Sequence, residues 1–345
     1  MSFLDDAACV LWSSNPLYWQ GVAALHAAKK AGIIKNRSEC EAAAKQGSDI
    51  ASTIGIPTAL SGTFGKCACR RVFKKHEQVN PGQQPDRDPA EGIRYHAVFV
   101  KASEGRPWVH GWEHEDFAAV SEEMRGQGYQ ITDLNAFVLP GADGVRYNGV
   151  WTKSTADRQA VFGWAPEHFD AKDSEMRSQG YNLVVLNAFV IPDGVRYNGI
   201  WAKTGGDRTW VHGWAPEHFD AKATELQGQG YDLVDLNAFV LPGNAIRYNG
   251  IFAKQNGERP WVHGWLPEHF DAKDAEMRGQ GYQLVNLNGF ILKGDGIRYN
   301  GIWAKTGGDR TWVHGWTRDD FDKKAAELQG QGYSPVTLHG FVVEL

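Results

Sequence analysis

The dipeptide Arg-Tyr occurs at Arg94, Arg146, Arg196, Arg247 and Arg298, every 50 to 52 residues, and each time it opens the same stretch of chain. A unit of this length cannot bury its own apolar face, so neighbouring copies must stack on one another. One copy reads IRYNGIFAK, a turn at QNGER, PWVHGW, then LPEHFDAKDAEMRGQGY and QLVNLNGFIL. That order is strand, strand, helix, strand. The expected fold is mainly β with one helix per repeat.

The helix is marked at both ends. Pro166, Pro216 and Pro267 stand where a first helical turn accepts proline, and Glu167, Glu217 and Glu268 follow at the positive end of the dipole. Gly180, Gly230 and Gly281 stop each helix. Phe219 and Leu226, seven apart, give a narrow apolar stripe that suits a helix lying on the outside of a sheet.

Tight turns at 192–194 and 204–207 suggest that the three strands form an antiparallel meander. Alternation places Tyr197 and Trp201 on one face and Ile200 and Ala202 on the other, and puts Trp210, His212 and Trp214 together opposite Val211. Apolar bulk on both faces is expected of sheets stacked between sheets. The first repeat begins at the Arg94 strand with no strand of the LNAFV type before it, whereas the chain ends on such a strand at 338–342. The last strand can therefore complete the first sheet, which hides edges. The expectation is a five-bladed, β-propeller-like closed ring of three-stranded sheets over 94–345, with an open superhelix as the alternative.

Residues 1–77 are different in kind. Asn15-Pro16 can start a helix running to about Gly32, and Ser38-Glu39-Cys40-Glu41 is a capping-box sequence. The stretch 78–93 is rich in proline and polar residues and reads as a linker. All four cysteines, Cys9, Cys40, Cys67 and Cys69, precede the repeats, which must hold together without disulfides. Cys67 and Cys69 with His76 are of the right types for zinc, but the spacing is not Cys-x₂-Cys, so no metal or other cofactor is expected. Arg70, Arg71, Lys74 and Lys75 follow at once and make this module a candidate for self-association. No apolar run approaches the roughly 20 residues of a membrane span, and the first nine residues lack the features of a secretory signal. From Arg94 onward, 25 basic residues face 32 acidic ones, a net of −7 that argues against a nucleic-acid partner.

The Trp-rich units, with RYNG-Φ-W-x-K, then W-V-H-G-W and a PEHFD helix, resemble the bacterial tandem repeat family found beside β-lactamase-like serine hydrolases, including the fungal polyglycine hydrolases. The likeness covers 94–345 and none of the first 93 residues. It implies an accessory or binding module, because the chemistry of that family resides in the attached hydrolase domain. The Ser-x-x-Lys nucleophile motif of such enzymes is missing from this chain. A non-enzymatic binding protein is expected.

Carbohydrate is the ligand class that repeated aromatic and amide positions suit, since a sugar offers C–H faces to an aromatic ring and hydroxyls to planar donors. Trp151, Trp201 and Trp303, with Phe99 and Phe252 in the matching strands, are candidate platforms. Asn148, Asn198, Asn249 and Asn300, with Arg146, Arg196, Arg247 and Arg298, are the candidate hydrogen-bonding groups. The bland alternative is that these tryptophans are core and these polar groups satisfy the backbone between repeats. A scaffolding role, with a protein partner held through the first 93 residues, is the second functional reading. His110, His212, His263 and His314 invite an acid–base role, but Phe162 takes that position in the second unit, which points to packing. Phe162 and the nearby Ala160 also single out that unit as the one expected to be impaired.

Overall fold

The computed structural model describes residues 92–343, apart from 103, 141–143 and 255–256. The proposed N-terminal helices, the cysteines, the basic arm and nearly all of the linker lie outside the described residues. In chain order the elements are β1 (Ile93–Lys101), β2 (Trp108–Trp112), α1 (His114–Gly126), β3 (Tyr129–Val138), β4 (Val145–Lys153), β5 (Arg158–Trp164), α2 (Pro166–Ser178), β6 (Asn182–Ile191), β7 (Gly194–Ala202) and β8 (Arg208–Trp214). They continue with α3 (Pro216–Gly228), β9 (Tyr231–Leu241), β10 (Ala245–Lys254), β11 (Trp261–Trp265), α4 (Pro267–Gly279), β12 (Gln283–Leu292), β13 (Gly296–Ala304), β14 (Arg310–Trp316), α5 (Arg318–Gly330) and β15 (Tyr333–Val342).

These strands form five three-stranded antiparallel sheets, ordered β2-β4-β3, β5-β7-β6, β8-β10-β9, β11-β13-β12 and β14-β1-β15. The expected meander is corrected here. Both β8 and β9 run antiparallel to β10, so they are parallel to each other. Parallel strands need a crossover, and α3 supplies it. The hairpin partner β10 then fills the gap between them. The turn at 204–207 is not a hairpin at all, because β7 and β8 belong to different sheets.

Each helix packs on its own sheet through one stripe: Phe219, Ala223 and Leu226 of α3 are buried. Burial of a Phe or Leu side chain contributes about 1.5–3 kcal/mol. The fit is closest at the central strand, where a Cβ added to Gly199 would stand 2.7 Å from Phe169 Cε2 and 2.8 Å from Trp201 Cη2. Pro216 begins α3 as expected, with Glu217 in its first turn. Gly230 takes φ of 81° just past its end, a conformation that favours glycine.

The opposite face of each sheet packs into the core of the sheet before it. Phe189 and Ile200 enter the core around Phe117 and Trp151. Phe239 and Ile251 enter the core of Phe169 and Trp201. The same positions, Phe290 and Ile302, join Phe219 and Phe252, and Val98 and Phe341 join Phe270 and Trp303. The series does not stop there, for Phe137 and Val150 of the first sheet enter the core of the last, around Phe99 and Phe321. Strand β1 lies between β14 and β15, so the first strand of the repeats completes the last sheet.

Hydrogen bonds follow the same circuit through β3, β6, β9 and β12, then to β1 and from its partner β15 back to β3. Ala136 N–H donates to Asn187 Oδ1, Ala188 N–H to Asn237 Oδ1 and Ala238 N–H to Asn288 Oδ1. Gly289 N–H donates to His96 Nε2, and Gly340 N–H returns to Asn135 Oδ1. Among the described residues no helix is long and apolar enough to cross a membrane.

Candidate functional site

The candidate platforms are not available to a ligand. Trp151, Trp201, Trp303, Phe99 and Phe252 are all at most 1% exposed. Trp201 and Trp303 are core side chains whose indole N–H groups need internal acceptors: Trp201 Nε1 donates to Asp173 Oδ1 at 2.9 Å and Trp303 Nε1 to Asp274 Oδ1 at 2.9 Å. The second oxygens accept from Trp210 Nε1 at 3.1 Å and Trp312 Nε1 at 3.0 Å. Where the central strand has phenylalanine, no acceptor is required. Ala223 accordingly faces the sheet of Phe252, and Ala325 that of Phe99. Asp with Trp and Ala with Phe thus go together across four of the five sheets.

The candidate asparagines are likewise structural. Asn148, Asn198, Asn249 and Asn300 have no exposed surface. Asn249 Oδ1 accepts from Gly213 N–H at 2.8 Å while its Nδ2 donates to Asn237 Oδ1 at 3.1 Å. Asn237 Oδ1 is the atom that also accepts from Ala188 of the preceding sheet. One amide pair therefore ties four strands and two sheets together. The same bonds recur from Asn148, Asn198 and Asn300.

Gly213 has φ of 68° and interrupts the pairing of β8 with β10, where Tyr248 faces Trp214 and Gly250 faces Val211. Three steps on one strand match two on the other, which is a β-bulge, and it turns the residue after it out of alternation. Trp214 is turned outward. It is 36% exposed, and Trp164 and Trp265 are each 38% exposed, the most exposed large apolar side chains described.

Two of these indoles, Trp214 and Trp265, each border a shallow groove. Beside Trp214 the groove has a volume of about 780 Å³ and is lined further by Glu217, His218, Lys222, Glu225 and Arg247. The groove at Trp265, about 580 Å³, has His269, Lys273, Glu276 and Arg298 in the matching places. Lys222 bridges to Glu225 at 2.8 Å, which fixes both along the helix rim, and that bond helps hold the Glu225 carboxyl below its usual range. Arg247 donates to the Ile246 carbonyl, Arg196 to that of Val195, and Arg298 to that of Ile297 and to Asp295. Arg146 is mostly buried and lies 3.7 Å from Glu113. Of the candidate residues, Arg247 and Arg298 line a surface groove, beside the indoles of Trp214 and Trp265, while the candidate platforms Trp151, Trp201 and Trp303 are buried.

Ala160 and Phe162 pack against the core of the preceding sheet, on the face away from Trp164. The histidines of the W-V-H-G-W strands join adjacent repeats: His110 to Asp322 at 2.7 Å, His212 to Asp170 at 3.2 Å, His263 to Asp220 at 2.8 Å and His314 to Asp271 at 2.9 Å. His212 Nδ1 also meets the Tyr197 hydroxyl at 2.9 Å, and burial pushes that phenol far above its usual value. A Tyr–His–Asp chain of this kind is a staple between sheets. Among the described residues no group of three or more His, Cys, Asp or Glu side chains is arranged to hold a metal ion.

A model of the family described as polyglycine hydrolase-like, structural repeat, matches the chain five times, at 106–154, 155–204, 208–255, 263–306 and 308–344. Each match starts near an outer strand and ends with or beside a central strand, so it follows the structural unit. No curated protein matches the chain.

Proposed function

Because the chain belongs to the polyglycine hydrolase-like structural-repeat family, we propose that its five repeats close as a propeller-like ring and act as a non-enzymatic, multivalent binding module. The ring reading is supported by the circuit of cores and hydrogen bonds that leads from the fifth sheet back to the first. The ligand class is carbohydrate, held in the outer grooves.

The observation that carries this reading is the pairing of an exposed indole with an arginine and carboxylates at the same place in successive repeats. Trp214 offers a face for the C–H side of a sugar ring, while Arg247, Glu217 and Glu225 offer donors and acceptors for hydroxyls. The grooves are shallow, so each would bind weakly, and several on one rigid body gain by effective concentration. The three repeats whose helices open on Pro166, Pro216 and Pro267 have the same residue types at the groove positions, with Trp164, Trp214 and Trp265 before the helix and Arg196, Arg247 and Arg298 on the central strand, which sets the expected number of sites at three. In the first repeat Arg146 is drawn to Glu113, and α5 begins on Arg318.

The test is a glycan-array screen of the full-length chain followed by calorimetry on any hit. Three equivalents are expected, with Trp214→Ala and Trp265→Ala each removing one. A blank array from folded protein would refute the carbohydrate reading and favour a protein partner.

A further inference from the structure

One charged position remains without a role. Arg106, Arg158, Arg208, Arg259 and Arg310 stand at the start of the outer strands of all five sheets, and all are half-buried. Each follows an acidic residue closely, as in Asp157-Arg158, Asp207-Arg208, Glu258-Arg259 and Asp309-Arg310. Neighbouring residues on extended chain point to opposite sides, so acid and arginine part company. The acids are taken by tyrosines: Tyr181 donates to Asp157, Tyr231 to Asp207 at 2.6 Å, Tyr282 to Glu258 at 3.0 Å and Tyr333 to Asp309 at 2.5 Å.

The five guanidiniums have no hydrogen-bonded or ion-paired partner among the described residues, and Nε of both Arg158 and Arg310 is fully enclosed and unsatisfied. They occupy the same place in successive sheets, whose outer strands pack on the sheet before. Burial, and after it the adjacent guanidinium, lowers the pKa of Arg158 beside Arg208, and of Arg310 beside Arg106 and Arg259. For Arg259, burial is followed by Asp232, which raises it, and by Arg208, which lowers it. The order of these influences, Arg158, Arg208, Arg259, Arg310 and Arg106, is the order of the sheets in the proposed ring, on which this inference rests. The outer strands that carry them touch the inner strand of the preceding sheet, as β8 touches β6 and β14 touches β12. Arg106 N–H donates to Ser334 Oγ on β15 across one such junction. Asp235 acts on Arg208 and Asp232 on Arg259 from a distance, and neither carboxylate is within ion-pair reach.

Half-buried cations with no ion-paired carboxylate are costly, and crowding like charges raises the cost. Exposed helix positions differ between the repeats, as Ser174 against Thr224 and Arg177 against Gln227 show, yet the arginine is kept in all five. A guanidinium presents a planar fork of donors that fits tetrahedral oxyanions, and a ring of such forks concentrates positive potential on a protein whose repeats are otherwise acidic. We propose that these five arginines form a single site for a polyvalent oxyanion carrying neighbouring phosphate or sulfate groups. The site is separate from the outer grooves and takes one ligand per chain.

Calorimetric titration of the full-length chain with inorganic tripolyphosphate, and separately with sucrose octasulfate, tests this. Saturable binding of one equivalent is expected, at least tenfold weaker in Arg208→Gln/Arg259→Gln and unchanged in a variant of an exposed helix cation outside both sites, Arg125→Gln. Binding of tripolyphosphate alone would identify phosphate as the source, and binding of both would identify polyvalent charge. Should the double variant not fold, Arg310→Lys keeps the charge but loses the fork, and a threefold or greater weakening is expected. The unliganded variants should melt at or above the parental temperature, because a purely structural arginine would lower it. No binding by either probe, or equal binding by the variants, overturns the proposal.

Discussion

Replacing Asp173 with alanine should damage the second sheet, and a further change from Trp201 to phenylalanine should repair most of the damage. The carboxylate of Asp173 accepts from Trp201 Nε1 at 2.9 Å, Trp210 Nε1 at 3.1 Å and Arg177 Nε at 2.7 Å. Asp173→Ala strands the Trp201 N–H in a site with no exposed surface, which costs about 1–3 kcal/mol. Loss of the charge-assisted bond from the exposed Arg177 contributes less. The expected destabilisation is about 2–4 kcal/mol. Trp201→Phe alone costs about 1–3 kcal/mol, from the cavity and from the acceptor it leaves behind. Together the two changes create the pairing already present as Ala223 with Phe252 and Ala325 with Phe99. No indole is then left needing an acceptor on the central strand, so the double variant should be less destabilised than the sum by about 1–2 kcal/mol. Urea unfolding of the four proteins, followed by tryptophan fluorescence and by far-ultraviolet circular dichroism, gives the cycle. Additivity within about 0.5 kcal/mol would refute the idea that the aspartate is there for the indole.

Two further outcomes follow from the packing. Gly199→Ala places a methyl group 2.7 Å from the Phe169 ring and should cost about 1–3 kcal/mol in urea unfolding, whereas Gly228→Ala, at the end of α3 with nothing within 4 Å, should be neutral or slightly stabilising. Burial raises the Asp235 carboxyl to about 6, opposed by its bonds from Leu186 N–H and Asn286 Nδ2. The folded state therefore holds this proton more tightly than the unfolded chain, and stability falls as pH rises from about 4 to 6. Melting temperatures of parent and Asp235→Asn should converge as pH drops from 7 to 4, and a constant difference would refute the assignment.

The repeat and its helix were legible because proline, glutamate and glycine mark helix ends through local backbone chemistry. The stacking of sheets was legible because both Ile200 and Trp201, on opposite faces of one strand, are apolar. Strand order was not legible. A glycine turn such as 204–207 serves a hairpin or a step between sheets equally well, and only the crossover helix decides which. The platforms failed for a related reason: sequence shows that tryptophan recurs, but its burial depends on which face meets the helix. A signal was present in the variation between repeats, since Trp201 and Trp303 accompany Asp173 and Asp274, while Phe252 and Phe99 accompany Ala223 and Ala325. Trp214 was placed on one face with Trp210 by strict alternation. The glycine of the W-V-H-G-W sequence marks the bulge that breaks this alternation and sends the last tryptophan to the surface.

The position of β1 between β14 and β15 has a consequence for the order in which the molecule can be assembled. On the ribosome β1 is synthesised before all of its partners, and it waits through some two hundred residues while four sheets, each complete in neighbouring sequence, take shape. Joining the ends is then a loop closure whose entropic cost rises only slowly with length, so the delay is one of time more than of energy. During that interval β14 and β15 offer a vacant seat that β1 of a second chain fits as well as its own. Two molecules exchanging this strand would keep its pairing with β14 and β15, and high concentration during refolding is the condition that favours the exchange.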